Sequence, residues 1–170
     1  MTSPPEPPRP ERLVTLAVAS AEVAVRRNRG ETVVFTNGCF DLLHPGHVLY
    51  LEQARALGDW LIVGLNSDRS VRELAKGVER PILSEVARAS ILAGLRAVDR
   101  VVIFDEPTPA RAISSLLPDL LCKGGDYRPE DVVGRQVVEE NGGRVVILPF
   151  HPGFSSTDII AKIGRGLTSS

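Results

Sequence analysis

Two of the chain's three histidines stand three residues apart in the stretch "FTNGCFDLLHPGHVLYL", Phe35 to Leu51. The stretch runs from an apolar, β-branched segment through a glycine turn into a helical pattern. Pro45 fits the first helical position, where a missing N–H costs nothing. That makes His44 the cap and His47 a first-turn residue, so both imidazoles lie where a helix presents unpaired N–H groups and partial positive charge. Gly46 between them lets a ligand approach the backbone closely. The constellation suits a phosphate. Metal ligation is the weaker alternative, because the spacing is not i, i+4 and no glutamate intervenes; a purely structural pair is the plain one.

Further groups offer anion chemistry. Arg88, in "SEVARASILAGLRAV", shares a helical face with Ile91, Leu92 and Leu95. A guanidinium beside an apolar stripe wants an anion, unless it snorkels at the stripe's edge. Lys76 and Arg80 lie in the loop "KGVERP" just upstream, where cations can close over phosphates or simply be solvated. Ser155, Ser156 and Thr157 precede the helical pattern "DIIAKI", as an ordinary N-cap or as a second anion-receptive helix start. In "KGGD", Lys123 to Asp126, the glycines admit close backbone approach and Asp126 can accept from ribose hydroxyls. The neighbouring Tyr127 and Arg128 add a hydroxyl and a guanidinium, more than phosphate alone requires.

These residues need a scaffold. From residue 31 onward short β-branched runs ("TVVFT", "WLIVGL", "RVVIF", "LLCK", "RVVILPF") alternate with helical patterns at 45–57, 84–98, 109–117 and 129–140. Continuous apolar strands are buried on both faces, so the expectation is an α/β, doubly wound, Rossmann-like five-stranded parallel sheet with helices on both faces and right-handed crossovers. In such a sheet ligands bind at the carboxyl ends of strands, near the point where strand order reverses. "TNGCFD" after the first strand, "NSD" (Asn66 to Asp68) after the second, "KGGD" after the fourth and "GFSST" after the fifth then border one crevice.

A length of 170 residues with 43% hydrophobic suits one domain, here expected over 31–165. The first ten residues hold five of the thirteen prolines and are expected to be a disordered tail. Residues 11–30 read as an N-terminal helix from about Glu11 to Arg27, stopped at Gly30, in preference to a signal peptide, whose apolar run Thr15 and Ser20 would break. With 20 Lys and Arg against 21 Asp and Glu, bulk charge points to neither nucleic acid nor an anionic membrane. No run approaches the roughly 20 apolar residues of a membrane span. Cys39 and Cys122 read as free thiols of a cytoplasmic protein.

Taken together, "GCFDLLHPGH", the downstream arginine one turn into a helix and the terminal "SST" resemble the HxGH nucleotidyltransferase superfamily. The strings "FTNGCFDLLHPGHVLYLEQARALGD", "VGLNSDRSV", "DLLCKGGDYRPEDVVG" and "NGGRVVILPF" are most similar to its heptose 1-phosphate adenylyltransferases, over about residues 31 to 163. The resemblance implies transfer of AMP from ATP, with Mg²⁺, to D-glycero-β-D-manno-heptose 1-phosphate. The rivals are a cytidylyltransferase for glycerol 3-phosphate or another small phosphate, and a non-catalytic nucleotide-binding module. It further implies that His44 and His47 meet the triphosphate, and that Thr36, Asn37, Gly38 and Phe40 shape the nucleotide turn with Gly46. Asp41 braces the loop or approaches the acceptor. Lys76 holds the acceptor phosphate or the α-phosphate, and Arg88, Ser155, Ser156 and Thr157 grip the β and γ phosphates. Gly125 and Asp126 line the nucleoside side, while Asn66, Arg80 and Tyr127 face the acceptor. A homodimer and a separate sugar kinase also follow from the likeness. The chain departs from it in having Ser156 where the family commonly has threonine.

Overall fold

A computed structural model describes residues 10–74, 80–125, 127–149 and 153–167. The proline-rich tail, all but its tenth residue, lies outside them, as do Lys76 and Asp126. The five β-branched runs form strands β1 (Val33–Gly38), β2 (Trp60–Asn66), β3 (Arg100–Phe104), β4 (Leu120–Gly124) and β5 (Arg144–Leu148). All neighbours are parallel, in the order β3-β2-β1-β4-β5. The chain therefore winds outward from β1 to β3 and then returns to start again at β4, so the order reverses between β1 and β4.

Among the described residues the α-helices are α1 (Leu16–Asn28) before the first strand, α2 (Pro45–Ala56), α3 (Asp68–Glu73), α4 (Glu85–Ala93), α5 (Ala110–Leu116) and α6 (Arg135–Glu140) between strands, and α7 (Ser156–Leu167) after the last. Alternate strand residues feed two separate cores, as the period-2 pleat demands. Val34, Leu61, Val63, Leu65, Leu120 and Cys122 pack against Leu51 and Ala54 of α2 and Ala89 and Leu92 of α4. On the other face Val33, Phe35, Trp60, Ile62 and Leu121 meet Ala19 and Val23 of α1, Ile113 and Leu116 of α5 and Val138 of α6. Burial on both faces holds for the inner strands, every residue of β2 being buried, whereas edge strand β5 buries only Leu148.

Several element boundaries differ from expectation for reasons outside the local sequence. The first helix begins at Leu16, with Thr15 as its cap, rather than at Glu11. The preceding residues pair with the sheet edge instead: Val101 N–H donates to Arg12 O, and Val14 N–H to Val101 O. Arg12 Nη1 then reaches the carbonyls of Ala93, Leu95 and Val98, closing α4 well short of residue 98. The pattern at 129–140 splits into a 3₁₀ turn, Pro129–Asp131, and α6, with Gly134 at φ 86° between them. The short α3, capped by Ser67 Oγ, had no signal of its own.

Candidate active site

β1 and β2 stay in register from Val33 opposite Trp60 to Gly38 opposite Leu65. β1 and β4, by contrast, are paired only at Val34–Leu120 and Phe35–Leu121. Beyond Phe35 those two strands part at the switch point, and the crevice begins there. Lys123 Nζ, at the end of β4, donates across it to Asn37 Oδ1. Thr36, fully buried, shares a hydrogen bond of 2.7 Å with the Tyr50 hydroxyl from α2. Burial raises the Tyr50 hydroxyl far above its ordinary pKa, so it stays protonated.

The turn after β1 carries two non-glycine residues in the left-handed region, Phe40 at φ 45° and Leu42 at φ 55°. Such backbone costs about 1–3 kcal/mol per residue and persists only where surrounding contacts enforce it. The contacts are present. The Asp41 carboxylate is 4% exposed and accepts from Arg80 Nη1 at 2.8 Å and from the N–H groups of Ile82 at 2.9 Å and Leu83 at 3.1 Å. Burial alone would raise its pKa, but the Ile82 N–H, the Arg80 guanidinium and the Leu83 N–H outweigh it and hold the carboxyl below its usual value. From the opposite side Ser156 Oγ, at the start of α7, donates to Asp41 O at 2.7 Å and Leu42 O at 3.3 Å.

Helix α2 starts where the turn ends, with His44 as N-cap and Pro45 first, as its sequence dictates. The His44 and His47 rings stack with centroids 3.8 Å apart and 25° between planes. His47 Nδ1 accepts from the His44 backbone N–H at 3.4 Å, so a neutral His47 carries its proton on Nε2 and presents it as a donor. Burial first, and the His44 imidazole second, push the His47 pKa down to about 4. Burial lowers His44 too. Both rings are therefore neutral at pH 7, donors of hydrogen bonds rather than fixed charges. His44 Nδ1 is buried with no hydrogen-bond partner among the described residues. Phe154, from the segment before α7, lies near-parallel to His44, with ring centroids 6.3 Å apart. Gly46 sits beneath them: a Cβ there would stand 3.1 Å from His44 Nδ1 and 3.1 Å from Phe154 Cβ.

Several expected site residues are thus gathered at one place: Asn37, Gly38, Phe40, Asp41, His44, Gly46, His47 and Ser156. Gly125 follows β4, its N–H bonded to Leu148 O, and Tyr127 is 54% exposed with its ring 5.9 Å from Lys123 Nζ. Ser155 caps α7 through Asp158 N–H, and Thr157 is exposed. Other expected ligands face inward. Asn66 Nδ2 bonds Ser70 Oγ inside the protein, and Arg80 is engaged by Asp41. Arg88 is fully buried, with bonds to Leu83 O at 3.0 Å, Cys39 O at 2.6 Å, Asn66 O at 2.9 Å and Asp68 Oδ1 at 2.6 Å. The carboxylate beside its buried charge is that of Asp68, a quarter exposed, where a phosphate was the expected anion. Sequence reasoning missed Tyr50, Lys123, Asp68 and Phe154. Asp68, Lys123 and Phe154 stand in the strings "NSD", "KGGD" and "GFSST" already singled out, whereas nothing local marks Tyr50.

A parallel sheet split at its switch point stands beside a helix start that carries both histidines of the HxGH sequence. The chain belongs to the cytidylyltransferase-like family, whose model matches residues 35–162. It is 57% identical over 155 residues, 91% of its length, to the bifunctional protein HldE of Geotalea uraniireducens. It is 61% identical over 137 residues, 81% of its length, to that of Haemophilus ducreyi. The match spans 31% and 29% of those two relatives, so this chain corresponds to about three tenths of their length. Among solved structures, a lipopolysaccharide core biosynthesis protein from Thermoplasma volcanium matches with TM-score 0.60 and 29% identity, covering 72% of this chain and 98% of that one. Pantothenate synthetase from Thermus thermophilus, 18% identical with TM-score 0.58 over 87% of this chain and 67% of its own, shares the fold. Among the described residues no helix is long and apolar enough to cross a membrane.

Proposed function

We propose that this chain is an adenylyltransferase that moves AMP from ATP to D-glycero-β-D-manno-heptose 1-phosphate, giving ADP-heptose and pyrophosphate. The observation that carries the reading is the stacked, neutral His44–His47 pair at the start of α2, beside the sheet's switch point, in a chain 57% identical to HldE. In the reaction a phosphate oxygen of the sugar bonds to the α-phosphorus while the bond to the β-phosphate bridging oxygen breaks, and that oxygen leaves with pyrophosphate. The acceptor is already an anion at pH 7, so no residue need deprotonate it. What the protein must supply is position and neutralisation of charge.

His44, His47 and the N–H groups around Gly46 would receive the triphosphate, Asn37, Gly38, Phe40 and Gly125 the nucleoside. The start of α7, with Ser155, Ser156 and Thr157, would close over the distal phosphates. Lys76 and Asp126, outside the described residues, would meet the acceptor or α-phosphate and the ribose, and Tyr127 the acceptor's hydroxyls. Among the described residues no group of three or more His, Cys, Asp or Glu is placed to hold a metal ion. An Mg²⁺ would fit as a companion of ATP held by phosphate oxygens, supplying further charge neutralisation. A homodimer, a sugar kinase acting in the same pathway, and a cytoplasmic location complete the proposal, the last supported by two cysteines that are free.

Pyrophosphate release measured across ATP and CTP, each with heptose 1-phosphate and glycerol 3-phosphate, tests the reading. A site built to bond the heptose hydroxyls would discriminate by up to about 10⁴-fold against an acceptor that leaves its polar groups unpaired. ATP with heptose 1-phosphate should be the fastest pair. Comparable turnover of CTP with glycerol 3-phosphate would refute the heptose assignment. Nucleotide binding with no pyrophosphate from any pair would point to a non-catalytic module.

A further inference from the structure

Arg88 poses a question that the proposed reaction leaves open. In a site that must grip phosphates, the most deeply buried cation among the described residues has all its recorded bonds to protein. Its four bonds join segments far apart in the chain: Cys39 O in the histidine turn, Asn66 O at the end of β2, Asp68 at the start of α3 and Leu83 O just before α4. Asp41, two residues beyond Cys39, reaches back to the same segment through Arg80 and the Ile82 and Leu83 N–H groups. The turn is thus tied twice to the 80–88 segment and accepts in both ties, Cys39 O from Arg88 and the Asp41 carboxylate from Arg80 and the Ile82 and Leu83 N–H groups. Between the two ties stands Phe40 in its left-handed conformation, and α2 with the stacked histidines begins four residues after Asp41.

We propose that Arg88 is a positioning residue for nucleotidyl transfer. It fixes the left-handed turn, and thereby the start of α2 and its two imidazoles, without touching the nucleotide. A planar fork is needed because Cys39 O, Asn66 O and Asp68 must be bonded at once from one side chain; a lysine ammonium is a point charge that cannot span them. The inference rests on the proposed reaction for its kinetic arm only, since the geometry of the turn exists whatever the substrate.

The test uses Arg88→Lys and Asp68→Asn in the full chain. The second removes only the partner carboxylate, itself a quarter exposed, and guards against failure of the first to fold. Three quantities are read: kcat, the Kd for ATP by calorimetry, and hydrogen exchange at the amides of Ile82 and Leu83, which Asp41 accepts. Positioning predicts that Arg88→Lys lowers kcat about a hundredfold, as a displacement near 1 Å can do, while the Kd for ATP moves less than threefold. Exchange at the two amides quickens. In Asp68→Asn kcat falls about tenfold, again with unchanged Kd.

A phosphate-gripping Arg88 predicts otherwise. Arg88→Lys would weaken ATP binding tenfold or more, and Asp68→Asn, by removing the competing carboxylate, would tighten it. Either result overturns the proposal, as does unchanged amide exchange in Arg88→Lys. If the parent protein shows no adenylyl transfer at all, the proposed reaction fails, while the exchange measurement still decides whether Arg88 holds the turn.

Discussion

Gly46→Ala separates the helix's need for a stable start from the ligand's need for a bare one. Gly46 lies in the first turn of α2 and is not among the glycines with positive φ, so alanine meets no backbone obstacle there. In a helix interior alanine is favoured over glycine by about 1 kcal/mol, less at a first turn, which for a domain of this size is a rise in Tm of up to about 2–4 °C. The added Cβ would stand 3.1 Å from His44 Cε1 and Nδ1 and from Phe154 Cβ. Ordinary carbon contacts lie at about 3.5–4.0 Å, so the His44 ring must give by roughly half an ångström. A displacement of about 1 Å at a reacting centre costs near 10²-fold, which sets the loss in kcat at about tenfold or more. The methyl also covers the N–H groups that a phosphate would approach. Differential scanning calorimetry beside pyrophosphate-release kinetics should therefore show a Tm unchanged or slightly raised and a kcat reduced about ten- to a hundredfold. A kcat within twofold of the parent would refute the claim that the ligand comes against Gly46. A Tm lowered by more than about 5 °C would show that the glycine serves packing with Phe154 instead.

His47→Ala should keep a cooperative melt, because His47 belongs to neither apolar core, and lose about 10²-fold or more in turnover, measured by the same pyrophosphate assay. The folded His47 refuses a proton down to about pH 4 while the unfolded chain takes one near 6.5, so its neutral form contributes stability present above about pH 6.5 and lost as pH falls toward 4. The fall in Tm between pH 7 and pH 5 should accordingly be smaller in His47→Ala than in the parent; an equal fall would show that His47 is not held neutral. Thiol titration of the denatured protein without reductant should find two thiols. In the native protein only Cys39 should react readily, Cys122 being buried with its thiol pushed up to about 12, and rapid reaction of both would contradict the packing of β4.

What was legible in the sequence is what neighbours in the chain decide. The five strands follow from β-branched runs, and the start of α2 from a proline one residue after a cap, so His44 and His47 could be assigned a place and a chemistry before any coordinates. Arg88 was conspicuous as a cation on an apolar face, but its partners lie at 39, 66, 68 and 83, and no periodicity reveals that three carbonyls converge on one guanidinium. The same holds for Arg12 to Val14, which read as helix until the β3 edge claims their backbone groups. Asp41, in a string with no charged neighbour, gave no local sign that its carboxylate organises residues 80 to 83.

The early parting of β1 and β4 bears on how this crevice can change through evolution. After the pairs Val34–Leu120 and Phe35–Leu121 the two strands diverge, so that besides Lys123 and Asn37, which meet across the opening, it is bordered by strand main chain, which is identical whatever residues are exchanged. Side-chain drift along the two strand ends would therefore leave the opening's hydrogen-bonding edge intact. Its width is the heritable variable, set by the angle of the strands and by plugs such as the Tyr50 ring, against which a Cβ at Gly124 would press at 3.1 Å. A lineage altering what it admits here would do so by changing the plugs and the turn that sets the strand angle, while its main-chain edge passed unchanged to each descendant.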